Sequence, residues 1–216
     1  MQKSKMRKVL EDILKMGYYK NYAAASGLVH NEANHEEAVG DIFSQYDLTE
    51  SEISKVSKKL RDELLKTGEY PEMEDNSYIS QPCGTHDSPD FLVKSEGRLY
   101  FIECKSVSKG TTSPMFNSGV PKTGYIYVFS CEKYDETTLF CGEDILEKPM
   151  QQLIHEYDKK AKQLAKDYNE LIRPNNSHGI EVYPRLMLQH KGGRKITDYF
   201  KHSQRDELEQ NALNYV

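Results

Sequence analysis

A chain of 216 residues, 37% of them hydrophobic, is long enough to bury a substantial core as one domain. Its 29% of charged residues and its lack of a long apolar run argue against a membrane-spanning protein. The net charge of −5 at pH 7 argues against a protein that coats nucleic acid without preference, but it leaves room for an enzyme whose own carboxylates add negative charge.

The cysteines and the N-terminus bear on the cellular compartment. The four cysteines are widely spaced, with no close pair and no histidine at zinc-ligand spacing: Cys83, Cys104, Cys131 and Cys141. This usage predicts free, buried thiols, which are typical of a reducing cytoplasm. The chain is charged from Lys3 onward, so the sequence predicts no signal peptide and a cytoplasmic protein.

The first 70 residues are predicted to be mainly helical. Apolar residues recur at helical spacing, which predicts helices over residues 5–16, 35–46 and 49–68. Thr49, with Glu52 three residues later, forms a capping-box pattern that would begin the third helix. Residues 18–34 show no clear period, so they are predicted to form a loop.

Short apolar runs predict strands in the middle of the chain, after an acidic linker over residues 69–76. The predicted strands cover residues 124–130, 137–141 and 179–189, together with a hairpin over residues 88–106 into which residues 78–84 lead. Pro184 restricts the last of these strands to a sheet edge or a bulge, because proline cannot donate a hydrogen bond to a neighbouring strand.

The longest predicted helix runs from Pro149, which suits the first helical position, to about Leu171. One of its faces is apolar and carries Met150, Leu153, Ile154, Tyr157, Ala161, Leu164, Ala165, Tyr168 and Leu171. The order of elements predicts an α/β (α+β) fold with a central mixed β-sheet flanked by helices. We expect one domain over residues 1–216, with a helical part over 1–70, a sheet core over 78–190 and a basic C-terminal segment over 185–216.

The hairpin brings charged residues together on an otherwise apolar strand. If Glu96 and Gly97 form its turn, pairing outward from the turn sets Asp90 opposite Glu103. Opposed residues in an antiparallel pair have Cβ atoms about 4.5–5.5 Å apart, close enough for one hard cation to bind both carboxylates. Because side chains alternate along a strand, Lys105 shares the face of Glu103.

An ordinary hairpin with a surface ion pair would carry the same charged residues. The continuous apolar run from Leu99 to Ile102 predicts instead a strand that is covered on both sides, where solvated charges are less natural. A loop with an odd number of residues would shift the register by one and remove the alignment of Asp90 with Glu103.

The hairpin motif resembles that of a known enzyme family. Pro89-Asp90, twelve further residues, and Glu103-Cys104-Lys105 on an apolar strand are similar to the motif of the PD-(D/E)XK nuclease superfamily. The wider middle third of the chain resembles type II restriction endonucleases in Gln81-Pro82-Cys83-Gly84, Ser88-Pro89-Asp90-Phe91, Glu103-Cys104-Lys105-Ser106 and Asn117-Ser118-Gly119. The resemblance implies a restriction-endonuclease-like core with added N-terminal helices.

The resemblance also implies a chemistry. Asp90 and Glu103 would hold Mg²⁺, for which Mn²⁺ substitutes, together with the backbone carbonyl of Cys104. Lys105 would be the third catalytic residue, orienting or helping to deprotonate the attacking water. The implied reaction is hydrolysis of phosphodiester bonds in double-stranded DNA at a short specific sequence, leaving 5′-phosphate and 3′-hydroxyl ends. The implied partners are a second subunit in a homodimer and a cognate DNA methyltransferase.

Other residues are candidates for contacts with DNA or metal. Glu36 borders the apolar stripe of its helix and is either a further metal ligand or ordinary surface charge. Polar and basic residues in loops and in the basic stretch from Arg185 to Arg205 are candidate DNA contacts: Gln81, Lys109, Asn117, Ser118, Lys122, Lys191 and Arg194. The same residues would also suit a flexible loop and a solvated tail.

Two other functions remain open at this point. A DNA-repair or structure-selective nuclease of the same superfamily would use the same catalytic residues. A non-catalytic DNA-binding module on this fold is the alternative from another class, although it would have no physical reason to keep Asp90, Glu103 and Lys105 together at a cost in stability.

Overall fold

The computed structural model describes residues 3–27, 34–108, 110–116, 119–189 and 198–216. It confirms an α/β architecture in which helices flank a mixed β-sheet. The helices of the described residues are α1 (Lys5–Leu14), α2 (Tyr19–Ala25), α3 (His35–Gln45), α4 (Lys58–Thr67), α5 (Gly142–Ile145), α6 (Lys148–Ile172) and α7 (Arg205–Tyr215), with a 3₁₀ turn at Arg173–Asn175.

Within the described residues, the main sheet has six strands in the order β1-β2-β3-β4-β6-β7. β1 runs parallel to β2 and β4 parallel to β6, whereas the other neighbours are antiparallel. β5 and β8 form a separate antiparallel pair. The strands are β1 (Thr49–Glu50), β2 (Ser77–Ser80), β3 (Phe91–Ser95), β4 (Arg98–Val107), β5 (Met115–Phe116), β6 (Tyr125–Cys131), β7 (Glu136–Cys141) and β8 (Leu188–Gln189).

The two faces of the main sheet bury separate apolar clusters. One face, which carries Tyr100, Ile102 and Cys104 of β4, packs against α1, α3 and α7. The opposite face, which carries Phe101 of β4, packs against α4 and against Tyr199 and its neighbour Phe200. The central strands are therefore covered on both sides, as their continuous apolar sequences predict.

The N-terminal end of α3 is fixed by a capping box, and this fixes the helix that borders the candidate site. The Asn34 side chain accepts a hydrogen bond from the Glu37 backbone N–H at 2.7 Å, and the Glu37 carboxylate accepts one from the Asn34 N–H at 3.3 Å. Ala38, Val39, Ile42 and Phe43 of this helix are buried against the sheet. The polar residues Glu36 and Glu37 consequently stay at the start of the helix.

The register predicted for the β3–β4 hairpin is confirmed. Ser95 pairs with Arg98, and the pairing continues outward to Phe91 opposite Ile102, so the turn holds two residues. Both turn residues have positive φ, 52° at Glu96 and 77° at Gly97, as a two-residue type I′ turn requires. The predicted alternation is also confirmed, since Tyr100, Ile102 and Cys104 of β4 enter one core cluster and Phe101 enters the other.

Two predictions about elements in the N-terminal part are wrong. Residues 18–34 contain the helix α2, whose Tyr19 and Ala23 are buried. Thr49 does not cap a helix but pairs with Ser77 in the edge strand β1. The cap of α4 is instead Ser57, whose hydroxyl accepts a hydrogen bond from the Leu60 N–H at 3.1 Å. Tertiary pairing here overrides a local capping pattern.

The C-terminal third also differs from prediction. Of the strand predicted over 179–189, only Leu188–Gln189 forms a strand, and it pairs with β5 rather than with the main sheet. The basic C-terminal segment predicted over 185–216 contains the helix α7, with Leu208, Ala212 and Leu213 buried. Arg205, counted in the basic stretch, pairs with Glu136 and Glu209 and so stabilises the fold rather than offering a free charge.

The four cysteines are free thiols, of which Cys104, Cys131 and Cys141 are buried and Cys83 is half-buried. The prediction of free thiols is therefore confirmed, and the prediction that they are buried is confirmed for all but Cys83. Within the described ranges, no helix has the combination of length and apolar composition that crossing a bilayer requires. α6, the longest of them, carries nine charged side chains along its 25 residues.

A glycine at the end of β7 lets two backbone segments approach closely. A Cβ at Gly142 would lie 2.0 Å from the Lys122 carbonyl oxygen, so Gly142→Ala must push the 122 segment away. We expect this change to lower the free energy of unfolding by about 2–3 kcal/mol in urea denaturation. Gly110→Ala is the matched control, because a Cβ there meets nothing within 4 Å. Equal stability of the two variants would contradict the close approach.

Candidate active site

Asp90 directly precedes β3, and both its backbone and its side chain are fixed by hydrogen bonds. Its carbonyl accepts a hydrogen bond from the Gln81 N–H at 2.7 Å. Its carboxylate oxygen Oδ2 accepts a hydrogen bond from the Cys104 N–H of the neighbouring strand, also at 2.7 Å. Because Asp90 directly precedes Phe91, which pairs with Ile102, the register continues to set Asp90 beside Glu103. The Asp90 side chain is thus positioned by backbone groups and not by flexible side chains.

Glu103 lies in the middle of the sheet and is only 8% exposed. Its Oε1 accepts a hydrogen bond from Lys105 Nζ at 2.5 Å. Among the described residues, its second oxygen, Oε2, is buried and has no hydrogen-bond partner. A buried carboxylate oxygen without a partner is costly, so this atom calls for a ligand of positive charge.

Burial and mutual repulsion dominate the electrostatics of the two carboxylates. Burial, followed by the charge of Glu103, raises the pKa of Asp90 to about 7. The charge of Glu36 raises the pKa of Asp90 further, while the Cys104 N–H and Lys105 oppose the rise. Burial would lower the pKa of Lys105, but its pairing with Glu103 raises that pKa overall. The single positive charge of Lys105 therefore lies beside two carboxylates, Asp90 and Glu103, and cannot neutralise both.

The carboxylates and the lysine line one cavity of about 280 Å³. Asp90, Glu103 and Lys105, the three residues predicted to be catalytic, all line it. The other lining residues are Glu36, Thr85, His86, Asp87, Ser88, Cys104, Phe116, Gly119, Val120, Lys122, Tyr127 and Arg185. The fold thus brings the predicted constellation to one accessible place.

The residues present fit a hard divalent cation. Asp90 and Glu103 offer carboxylate oxygens, which Mg²⁺ prefers, and the partnerless Oε2 of Glu103 lies among them. Cys104, whose carbonyl is the further predicted ligand, lines the same cavity. Within the described part of the chain, no group of three or more His, Cys, Asp and Glu side chains is arranged to hold a metal. Glu36 therefore lines the cavity and acts on Asp90 electrostatically without completing such a group.

The predicted DNA contacts separate into three sets. Lys122 lines the cavity with the catalytic residues. Gln81 lines a different groove, together with Glu36 and Phe91. Its backbone N–H donates a hydrogen bond to the Asp90 carbonyl. The remaining predicted contacts lie outside the described residues: Lys109, Asn117, Ser118, Lys191 and Arg194.

Ser88, Arg61 and Tyr127 support the cavity wall, and the sequence did not indicate them. Lys122 Nζ donates a hydrogen bond to Ser88 Oγ, and the Lys122 N–H donates one to the Tyr127 hydroxyl at 2.9 Å. Arg61 of α4 donates from Nη1 to the Ser88 carbonyl at 2.9 Å. Burial, followed by the nearby Arg61 charge, lowers the pKa of Lys122. These contacts join distant segments, so only the proximity of Ser88 to Asp90 could have indicated them.

A second cleft of about 720 Å³ extends from the first toward α4 and α6. The two clefts share six lining residues: His86, Asp87, Gly119, Val120, Lys122 and Arg185. The second cleft adds Lys58 of α4 and Lys162 of α6, which pair with Asp87 and Asp158 at 2.8 and 2.6 Å. The catalytic constellation therefore lies at one end of a longer groove with several basic side chains.

Comparisons with protein-family models, with curated proteins and with solved structures find no match to this chain. The functional argument consequently depends on the residues and geometry described above. The similarity of the hairpin motif to PD-(D/E)XK nucleases remains a prediction from the sequence.

The repulsion between the two carboxylates has a measurable consequence for stability. Asp90→Asn keeps an oxygen that can accept the Cys104 N–H but removes one half-buried negative charge beside Glu103. At pH 8, with chelator and no divalent metal, we expect this change to raise the free energy of unfolding by about 1–2 kcal/mol. Urea denaturation measures the difference. Asp87→Asn, which removes only a partly exposed ion pair, should change stability by less than about 0.5 kcal/mol. A less stable Asp90→Asn variant would show that the charges do not repel.

Proposed function

We propose that this protein is a Mg²⁺-dependent DNA endonuclease of the type II restriction class. The observation that carries the proposal is that Asp90, Glu103 and Lys105 line one cavity, where a buried oxygen of Glu103 has no hydrogen-bond partner among the residues the structure describes. Perturbed, buried titratable groups in a cleft are typical of catalytic sites. The motif and the hairpin that presents it favour phosphodiester hydrolysis over other metal-assisted reactions.

The cost of the arrangement supports catalysis over simple binding. Two carboxylates share a buried site with one lysine, and burial disfavours the charged form of Asp90. A DNA-binding module without turnover would gain stability by replacing one carboxylate with a neutral residue. The retention of both charges is therefore better explained by a need for the cation that they would hold.

The residues have distinct roles in the proposed reaction. Asp90 and Glu103 would hold Mg²⁺ with the backbone carbonyl of Cys104, and Mn²⁺ would substitute. The chemistry that the bound ion supplies is positive charge, which acidifies a water molecule and neutralises the scissile phosphate. Lys105, an ammonium beside Glu103, would orient the attacking water and offset charge on the phosphate. The water oxygen would bond to phosphorus as the bond to the 3′ oxygen breaks. The water would lose a proton and the 3′ oxygen would gain one, which would leave 5′-phosphate and 3′-hydroxyl ends.

The groove formed by the two clefts supports a long, negatively charged substrate. It leads from the catalytic residues past Lys122 and Arg185 to Lys58 and Lys162, where DNA phosphates would replace Asp87 and Asp158 as the partners of the two lysines. Basic side chains along one track suit the phosphates of double-stranded DNA, even though the whole chain carries a net charge of −5. We further propose a cytoplasmic homodimer, since two-fold DNA sites match two-fold proteins, with a cognate methyltransferase to protect the host DNA.

The catalytic proposal predicts metal-dependent cleavage. Purified protein with Mg²⁺ should cut phage or genomic DNA of known sequence into discrete fragments, and mapping the ends should give one short site. Asp90→Asn, Glu103→Gln and Lys105→Met should each lower the cleavage rate by at least about 1,000-fold, because each removes a group that acts at the phosphate. Asp87→Asn, on the rim of the same cavity, should retain activity within about tenfold.

Three outcomes separate the alternatives. Intact DNA under these conditions, together with no calorimetric Mg²⁺ or Mn²⁺ binding that depends on Asp90 and Glu103, would exclude the catalytic proposal. Nicking restricted to mismatches or junctions would indicate a repair or structure-selective nuclease instead. Discrete bands from linear duplex with 5′-phosphate ends would support the restriction class.

Lys122 is expected to act on the phosphate backbone. Its Nζ lies at the rim of the catalytic cavity, where it bonds Ser88, and no acidic side chain is its hydrogen-bond partner among the described contacts. Lys122→Met should weaken DNA binding by about tenfold at low salt and reduce the slope of log affinity against log salt by about one. Binding is measured by fluorescence anisotropy in Ca²⁺, which commonly permits binding without cleavage. Lys159→Met, on the exposed face of α6, is the control and should change neither quantity.

A further inference from the structure

The apolar residues of α6 follow a strict seven-residue pattern. Seven of them recur at alternating spacings of four and three: Met150, Ile154, Tyr157, Ala161, Leu164, Tyr168 and Leu171. This repeat averages 3.5 residues, which keeps the apolar positions in one straight stripe along the helix. A helix that packs on a sheet does not need so regular a stripe. We call these seven residues the α6 stripe.

Most of the α6 stripe faces away from the rest of the described chain, while Ile154 and Ala161 at its edge are partly buried. Its large residues are between 49% and 70% exposed at Met150, Tyr157, Leu164, Tyr168 and Leu171, and the adjacent Leu153 is 60% exposed. These values are unusual for apolar side chains on a long amphipathic helix, which normally covers its apolar face.

The helix is attached to the protein through a different, more polar flank. Gln151 donates hydrogen bonds to Thr123 Oγ1 at 3.2 Å and to the Leu146 carbonyl at 2.7 Å. Asn169 is buried and exchanges two hydrogen bonds with the backbone of Val182, at 2.9 and 2.7 Å. The attachment thus turns the polar flank inward and leaves the α6 stripe outward.

We propose that the α6 stripe is the surface on which a second copy of this chain docks, helix against helix. A seven-residue apolar repeat is the pattern by which two helices interlock side chains, so the occupant it suits best is another helix with the same repeat. A second copy of the chain supplies that helix and closes the assembly with two-fold symmetry. This inference names the surface of the homodimer in the proposed function.

The exposed area is sufficient for a stable pair. Six large side chains that are about half to two-thirds exposed offer roughly 600 Å² of apolar surface on one helix. Flanking aliphatic portions of the polar residues add to this, which brings each partner close to the roughly 800 Å² that stable complexes bury. The α6 helix is about 37 Å long at 1.5 Å per residue, long enough for three heptads of contact.

The charge of α6 favours a second copy over a membrane surface. The helix carries five lysines and four acidic residues: Lys148, Lys159, Lys160, Lys162 and Lys166, with Glu156, Asp158, Asp167 and Glu170. Two such helices repel one another little. A helix that binds anionic lipid normally has a strongly basic polar face, which this balance does not provide.

Pairing through the α6 stripe leaves the proposed DNA groove open. The residues of α6 that line the groove are Gln151, His155, Asp158 and Lys162. At about 100° per residue, they lie roughly a quarter to a third of a turn away from the α6 stripe. A dimer formed on the stripe therefore carries two accessible catalytic cavities.

Sedimentation equilibrium of the full chain, from sub-micromolar to high micromolar concentration, tests the proposal. The unmodified chain should be dimeric. The double variant Tyr157→Lys with Leu164→Lys should raise the dimer dissociation constant at least about 100-fold, because both charges would be buried at the contact. The matched control, Gln152→Lys with Gln163→Lys, adds the same charge on the opposite exposed face of the helix and should remain dimeric.

Several results would overturn the proposal. These are a monomeric unmodified chain, a chain that instead floats with anionic vesicles, or a dimer that both double variants disrupt equally or not at all. Circular dichroism should show equal helix content in the two double variants, since all four positions are exposed in one subunit. If the lysine pair at 157 and 164 unfolds the chain, Leu164→Ala replaces it and should weaken the dimer about tenfold.

The dimer and the nuclease can fail separately. Asp90→Asn should leave the dimer dissociation constant unchanged even if it abolishes cleavage. An active but monomeric protein would overturn the α6 contact while leaving the catalytic proposal in place. A dimeric protein without metal-dependent cleavage would overturn the catalytic proposal while leaving the α6 contact in place.

Discussion

The turn of the β3–β4 hairpin is the constraint on which the candidate site depends. Side chains alternate across a strand, so a change of one residue in this turn would move Glu103 and Lys105 to the opposite face. Two contacts from outside the hairpin hold the turn. The Glu96 carboxylate accepts a hydrogen bond from the Lys5 N–H at 3.1 Å, and the Gly97 N–H donates one to Asp75 Oδ1 at 3.0 Å. The N-terminal end of α1 therefore helps to fix a register whose effect appears at the other end of the hairpin.

The site also requires that the charged side chains of Asp90, Glu103 and Lys105 stay together within a largely apolar sheet. β4 passes from the buried Tyr100, Phe101 and Ile102 directly to Glu103, so the sheet that holds the carboxylate also removes it from water. The Cys104 N–H and Lys105 compensate part of this cost through hydrogen bonds to Asp90 and Glu103. The cost of burial is not compensated at Glu103 Oε2, which has no hydrogen-bond partner among the described residues. The surrounding backbone helps such a cluster to persist, since strand pairing on both sides of β4 fixes the backbone of Glu103 and the Cys104 N–H holds the Asp90 carboxylate.

The parts of the structure that the sequence could predict are those set by local rules. The hairpin register followed from a two-residue turn, and α1, α3 and the length of α6 followed from apolar spacing and caps. The edge strand β1 could not be predicted in this way, because it has two residues and forms only by pairing with β2, 28 positions away at Thr49 and Ser77. The contact of Lys122 with Ser88 joins segments 34 residues apart and depends on how the sheet is assembled. Residues of the site that share one hairpin were thus predictable from its register. Glu36 and Lys122 line the same cavity and were candidates by residue type alone, while the supporting contacts of Arg61 and Tyr127 were not predicted.

The orientation of α6 links the two levels of organisation proposed for this protein. Its apolar pattern alone would have suggested burial against the sheet, but the hydrogen bonds of Gln151 and Asn169 attach the helix by its polar flank instead. One flank then contributes His155 and Lys162 to the groove that leads to Asp90, while the α6 stripe points outward. A rigid helix with both roles would set the distance and angle between two catalytic cavities in a pair. For an enzyme that must cut both strands of a duplex, that geometry determines where the two cuts fall, so the α6 stripe would shape the product as well as the assembly.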